Sequence, residues 1–192
     1  MAGTEHGDLG ILDKSNMKFH VLIRAHWDEI LAIDYHQKRD NIITVSKDHT
    51  IKLIDMHTFD QVIEFTSPID QALCVAAHPT LNIFSCGFQK GIMRVFNIDE
   101  LKLQREYTDF EPTNPIEKIK YSPNADILVA CAKDGSVAIH NVQKQHQPTK
   151  MMSLQFKPPN VHIAFSPAFE VKVVKVHPAD RGQRVVEDAS IH

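Results

Sequence analysis

Little in this chain marks a secreted, membrane or phosphate-binding protein. Cysteine is scarce: Cys74, Cys86 and Cys131 stand far apart with no C-x-x-C pair, which fits reduced, packed thiols in a reducing compartment. Basic charge is not in excess, with 21 Lys and Arg against 24 Asp and Glu, so no global field collects phosphates and nucleic acid is not an expected partner. No apolar run approaches about 18 residues, so no membrane association is expected. The opening MAGTEHGDLG lacks the apolar stretch of a signal peptide, and Ala2 stands where myristoylation requires glycine. A cytoplasmic or cytoskeletal address is the expectation. Glycine totals seven, and neither G-x-G-x-x-G nor G-x-x-x-x-G-K-[ST] occurs, so no cofactor is expected. The twelve histidines are scattered without metal-ligand spacing, and no metal is expected either.

What the chain does have is apolar material, 43% of its 192 residues with 23% charged, enough for a core and too much for disorder. That material recurs. Ile33, Val75, Ile119 and Ile163 follow one another at 42, 44 and 44 residues, and Tyr35, Ala77, Tyr121 and Phe165 keep the same offsets two positions on. Each pair runs into a turn signal: His36-Gln37, His78-Pro79, Ser122-Pro123 or Ser166-Pro167. A second set follows, with Leu9, Ile51, Met93 and Val137 at 42, 42 and 44, accompanied by Ile11, Leu53, Val95 and Ile139. Strand-like runs lie between the sets (Asn41 to Val45, Asn82 to Cys86, Asp126 to Cys131). A weaker fourth strand closes each unit: His20 to Arg24, Gln61 to Phe65, Leu103 to Tyr107 and Lys150 to Phe156. Alternation of this kind does not fit a helical period, so the fold class is all-β. Four antiparallel strands in about 43 residues make the blade of a β-propeller, whose apolar columns become the layers between blades.

At the motif level the chain resembles the WD-repeat family. Ser46-Lys47-Asp48-His49-Thr50-Ile51-Lys52-Leu53-Ile54-Asp55 resembles its S-x-D-x-T-I-x-L-W-D core with Ile54 in place of Trp, and Ala25-His26 sits where the family has Gly-His. The third unit keeps Asp134 but has His140 at the Trp position; the second has Lys90 for Asp and Phe96 for Trp. The resemblance implies a buried structural network of His26, Asp48 and Thr44 or Ser46, with Asp134 the counterpart in the third unit. More narrowly, LGILD (9–13), HTFDQVIEFTSP (57–68), CVAAHPT (74–80) and FSCGFQKGIMRVF (84–96) resemble a centriolar branch of the family. That branch implies a centriole, basal-body or ciliary scaffold supporting cilium formation. Its partners would be other proteins, including centriolar or axonemal microtubule-associated ones. A generic cytosolic adaptor, in a ubiquitin-ligase or trafficking complex, is the alternative.

The expected organisation is a disordered N-terminus (1–7), a half blade (8–26), blades at 27–67, 68–109 and 110–158, a partial blade (159–176) and a degenerate tail (177–192). About four blades make a partial WD-repeat β-propeller, either an open arc of a larger ring or a four-bladed ring closed by the N-terminal strand pair. An open arc leaves unpaired edges and an uncovered apolar face, which predicts self-association. His26, Asp48 and Thr44 or Ser46 also have the composition of a hydrolytic triad. No G-x-S-x-G elbow exposes a nucleophile, however, so the expectation is a structural staple and no enzyme. Trp27, Phe110 and Phe169 are candidate loop contacts for partners. Lys172 and Lys175 are candidates too, and they also suit the guarding of an exposed edge strand.

Overall fold

The computed structural model describes residues 1–142, 149–156, 161–165 and 171–175. All regular structure there is β, in five antiparallel sheets whose strands pair in sequence order. The first contains β1 (Ala2–Gly3), β2 (Asp8–Leu12) and β3 (Phe19–Arg24). The first full blade contains β4 (Ile30–His36), β5 (Asn41–Ser46), β6 (Thr50–Asp55) and β7 (Gln61–Thr66). The second contains β8 (Ala72–Ala77), β9 (Ile83–Phe88), β10 (Met93–Asn97) and β11 (Lys102–Tyr107). The third contains β12 (Ile116–Tyr121), β13 (Ile127–Ala132), β14 (Ser136–Asn141) and β15 (Thr149–Gln155), and β16 (Val161–Phe165) pairs with β17 (Val171–Lys175).

Turn chemistry sets the period. The turn entering the third strand of each unit puts one residue in the left-handed region: Gly7 (φ 83°), His49 (65°), Gly91 (73°) and Gly135 (89°). Only glycine adopts that region without steric cost. The carbonyl so turned receives the chain leaving the fourth strand, as in Ala25 N–H to Gly7 O (2.9 Å), Ser67 N–H to His49 O (2.9 Å) and Phe156 N–H to Gly135 O (2.9 Å). The turn after each first strand is closed by a buried side chain in one column. His36 Nδ1 accepts from Arg39 N–H at 3.3 Å, His78 Nδ1 from Leu81 N–H at 3.0 Å, and Ser122 Oγ from Ile127 N–H at 2.9 Å.

Between the five sheets lie four apolar layers. The column Leu9, Ile51, Met93 and Val137 is buried throughout. In the layer between the first two blades Phe84 stacks on Phe96 at 5.0 Å, and Phe65 tilts against Phe96 at 4.9 Å. Burying side chains of this size stabilises by about 1.5–3 kcal/mol each. The three thiols are buried and free, and burial pushes those of Cys74 and Cys131 up to about 12.

The molecule is a partial, open propeller. Among the described residues no strand pairing joins β1–β3 to β16–β17, as the four-bladed closure would require. The first sheet shows what openness means. Leu12 is 48% exposed, whereas its repeat equivalents Ile54 (1%), Phe96 (6%) and His140 (0%) are covered by the preceding sheet. The N-terminus needs a correction: residues 1–7, expected to be disordered, carry β1, where Ala2 pairs with Gly10 and Gly3 with Leu9. Gly3 also lies so close to Ile30 that a Cβ would stand 2.7 Å from its side chain. This packing and the ladder bonds hold a stretch whose composition gave no strand signal. Residues 177–192 lie outside the described residues.

Candidate functional site

The loop from β3 to β4 carries His26, and the turn from β5 to β6 carries Asp48; pairing of β5 with β6 brings Thr44 beneath them. His26 Nδ1 lies 2.9 Å from Asp48 Oδ2 and 2.9 Å from Thr50 Oγ1, and Nε2 lies 2.7 Å from Thr44 Oγ1. The carboxylate also accepts Trp27 N–H (3.1 Å), Thr50 N–H (3.0 Å) and the Thr50 hydroxyl (2.6 Å). Ser46 takes a different place: its hydroxyl donates to Asp28 O (3.1 Å) and accepts Asp48 N–H (3.2 Å). The choice between Thr44 and Ser46 thus resolves to both, with Thr44 on the imidazole and Ser46 under the turn.

Electrostatics makes this a clasp for a neutral imidazole. Burial lowers the His26 pKa, and the Asp48 carboxylate only partly offsets it. Burial pushes Asp48 up, but the Thr50 hydroxyl, the Trp27 N–H and His26 outweigh it and hold the carboxyl below its ordinary value. Neutral His26 then donates from Nδ1 to Asp48 and accepts at Nε2 from Thr44. Thr44 and Ser46 are both sealed from solvent, so neither hydroxyl meets a substrate in this arrangement. The chemistry available is the fastening of a turn to a loop.

The worn units fasten the same turn by other means. Asp70 Oδ1 accepts Lys90 N–H at 3.1 Å, and Asn114 Oδ1 accepts Asp134 N–H at 3.1 Å. Asp134 caps its turn, accepting Ser136 N–H at 2.7 Å, and among the described residues no histidine bonds to it. Sequence reasoning missed Asp70 and Asn114. The signal was there, since Asp28, Asp70 and Asn114 follow one another at 42 and 44 residues. It also missed buried Lys52, which pairs with Glu64 at 3.3 Å. At the family's Trp position in the third blade, His140 is buried 3.1 Å from Asp109, which also meets Lys150 at 3.2 Å, and Tyr107 stands edge-on to the ring at 5.3 Å.

Of the contact candidates, Trp27 is exposed, with the Arg24 guanidinium 5.9 Å from its ring centroid. Phe110 is half-buried and packs against the apolar layer between the second and third blades. Lys172 and Lys175 lie on β17, in register with Ala164 and Val161. Phe169 lies outside the described residues. No group of three or more His, Cys, Asp or Glu among the described residues is placed to hold a metal ion.

Comparison with known proteins agrees with this geometry. The family model described as "WD domain, G-beta repeat" matches residues 17–55 and 103–141. WD repeat-containing protein 90 of Xenopus tropicalis is 32% identical over 144 residues, 75% of this chain and 8% of the relative. The protein of the same name from Homo sapiens is 32% identical over 138 residues, 72% of this chain and 8% of the relative. Echinoderm microtubule-associated protein-like 4 of Xenopus laevis is 24% identical over 130 residues, 67% of this chain and 14% of that protein. The chain thus spans less than a tenth of the length of the two proteins it matches at 32%.

Proposed function

The chain carries WD40 repeats, and from that premise we propose that it is a non-catalytic docking scaffold of a microtubule-associated assembly at the centriole, basal body or cilium. The 32% identity to WD repeat-containing protein 90 over three quarters of the chain carries the WD-repeat part of the reading, and the centriolar part rests on the segments 9–13, 57–68, 74–80 and 84–96 that resemble the centriolar branch. Echinoderm microtubule-associated protein-like 4, by its name a microtubule-associated protein, supports the cytoskeletal part. Physically, stacked blades hold their loops and edges on a stiff frame, and variable loops on a rigid scaffold are where recognition concentrates. The sealed hydroxyls at His26 favour a fastening role there over hydrolysis.

Partners dock on this frame rather than react on it, and the uncovered face at Leu12 also invites a second copy or further blades. Proximity labelling with the tagged chain in ciliated cells, together with microtubule co-sedimentation of the purified chain, tests the proposal. Enrichment of centriolar and axonemal proteins is expected. Labelling spread through the cytosol, with ubiquitin-ligase or trafficking subunits enriched instead, would replace it with the generic adaptor.

A further inference from the structure

Two clefts open on the fourth-strand side of the arc. One lies between the first sheet and the first full blade, the other between the first and second full blades, with volumes of about 320 and 560 Å3. They are one cleft made twice: each residue lining the first, moved on by 42 positions, lines the second. Ile23 and Ile54 form walls of the first, and Phe65 and Phe96 stand at the same places in the second. The floor cation is Lys52 in one and Arg94 in the other. Each is tied to a carboxylate on the neighbouring strand, Lys52 to Glu64 at 3.3 Å and Arg94 to Glu106 at 2.8 Å, and those carboxylates are again 42 residues apart.

At the lip of each cleft stands a large apolar side chain that the fold does not use. Trp27 is 79% exposed and its equivalent Ile69 is 82% exposed. Large apolar groups left in water beside an apolar-walled cleft are the usual anchors of a protein contact. Charge points to the occupant. Lys52, Arg94 and Lys102 are already matched by Glu64, Glu106 and Glu100, which leaves Arg24 at the first cleft and Lys90 at the second as cations with no ion pair among the described residues. Asp70 adds a second polar feature: it is buried, one oxygen accepts Lys90 N–H, and Oδ2 has no hydrogen-bond partner.

We propose that the two clefts are tandem docking sites for an extended acidic segment of a partner protein. The segment lays one bulky apolar side chain against Trp27 and another against Ile69. Its carboxylates turn toward Arg24 and Lys90, and a backbone N–H reaches Asp70 Oδ2. Because the sites belong to adjacent blades, a segment held in one meets the other at high effective concentration, and two weak contacts add to one useful affinity. The inference rests on the docking reading above and gives it a surface and a partner chemistry.

Trp27 is the only tryptophan, so its emission reports the first cleft alone. The full chain is titrated with a synthetic peptide of alternating Glu and Leu and, in parallel, with its Lys-for-Glu counterpart, by calorimetry and Trp fluorescence. The acidic peptide is expected to bind, to shift Trp27 emission to the blue, and to weaken as salt is raised. Trp27→Ala and Ile69→Ala should each weaken binding at least about tenfold, as loss of an anchor does, and Ile69→Ala should retain the blue shift at saturation. Both side chains are exposed, so an unchanged circular dichroism spectrum is expected for each variant. Equal binding of the basic peptide, no binding of the acidic one, or indifference to both substitutions would overturn the proposal. Centriolar labelling that persists in the Trp27→Ala, Ile69→Ala double variant would remove these clefts from the scaffold reading without touching that reading.

Discussion

Replacing Asp48 by alanine tests whether the clasp at His26 holds the first full blade. Two kinds of donor lose their acceptor. The Trp27 and Thr50 N–H groups sit at a turn that water reaches, so each loses only the net worth of a hydrogen bond, about 0.5–1.5 kcal/mol. The His26 Nδ1–H is sealed, its side chain being 0% exposed, and an unmet buried donor costs about 1–3 kcal/mol. Thr50 Oγ1, 2.9 Å from the same nitrogen, takes over part of that role, and the losses are not additive among neighbours. The expected destabilisation is therefore about 2–3 kcal/mol. Asp48→Asn should cost less, about 1 kcal/mol. Its oxygen still accepts from Thr50, and His26 can move its proton to Nε2 and accept from the new amide, leaving only Trp27 N–H unmet. Asp134→Ala, which removes the Ser136 cap at an exposed turn, should cost under about 1 kcal/mol. Urea unfolding followed by far-UV circular dichroism, with the slope unchanged, measures all three. If Asp48→Ala unfolds within about 0.5 kcal/mol of the parent, or Asn is as costly as Ala, the reasoning fails.

Acid should weaken the fold before its carboxylates titrate. Burial lowers the pKa of both His26 and His140, so below the ordinary histidine value of 6.5 the unfolded chain binds protons that the folded chain refuses. Stability contributed by the neutral rings is full above that value and falls as pH drops below it. The urea midpoint should be lower at about pH 5.5 than at about pH 7.5, and His140→Phe, which copies Phe96 at the same repeat position, should flatten the difference. Gly91→Ala should destabilise by about 2 kcal/mol or more in the same urea assay, because φ is 73° there and a Cβ collides with the Glu111 carbonyl. The uncovered first sheet should drive self-association of the full chain in sedimentation velocity, and Leu12→Lys should reduce it; a monodisperse parent that melts as a monomer would refute this.

The strands were legible because alternation and turn punctuation are local properties. The run Val161 to Phe165 was read to its end residues, and Gln61 to Phe65 to within one. β1 was not, since two small residues show no pattern and are held by partners distant in sequence. Burial was legible only where a neighbouring sheet exists. Leu12 and Ile54 are equivalent in the repeat, and nothing local tells that one is covered and the other bare. The clasp was legible in the first full blade because His26 and Asp48 keep the motif. Asp70 and Asn114 were not, since an Asp or Asn before a strand looks like any loop residue until the 42- and 44-residue spacing is laid over it. Ile69 was overlooked for the same reason: as a loop residue it is unremarkable, and only its equivalence with Trp27 gives it meaning.

The blades keep their shape while their side chains diverge because the bond repeated in all three belongs to the backbone. Lys47 N–H reaches Glu29 O, Gln89 N–H reaches Gln71 O and Lys133 N–H reaches Pro115 O, each at 2.8–2.9 Å. This tie between the second turn and the loop before the first strand needs no particular side chain. Around it, the first full blade adds a histidine–aspartate clasp, the second a lone aspartate and the third an asparagine. The position that carries the family's tryptophan becomes Ile54, Phe96 and His140 in turn, all buried. Frame and surface are thereby decoupled. A residue at the lip of a cleft is set in place by bonds that do not involve its own side chain, so Trp27 and Ile69 are presented alike though chemically different. Two seats alike in frame and different in side chain need that decoupling, and stacking one backbone unit along an arc supplies it.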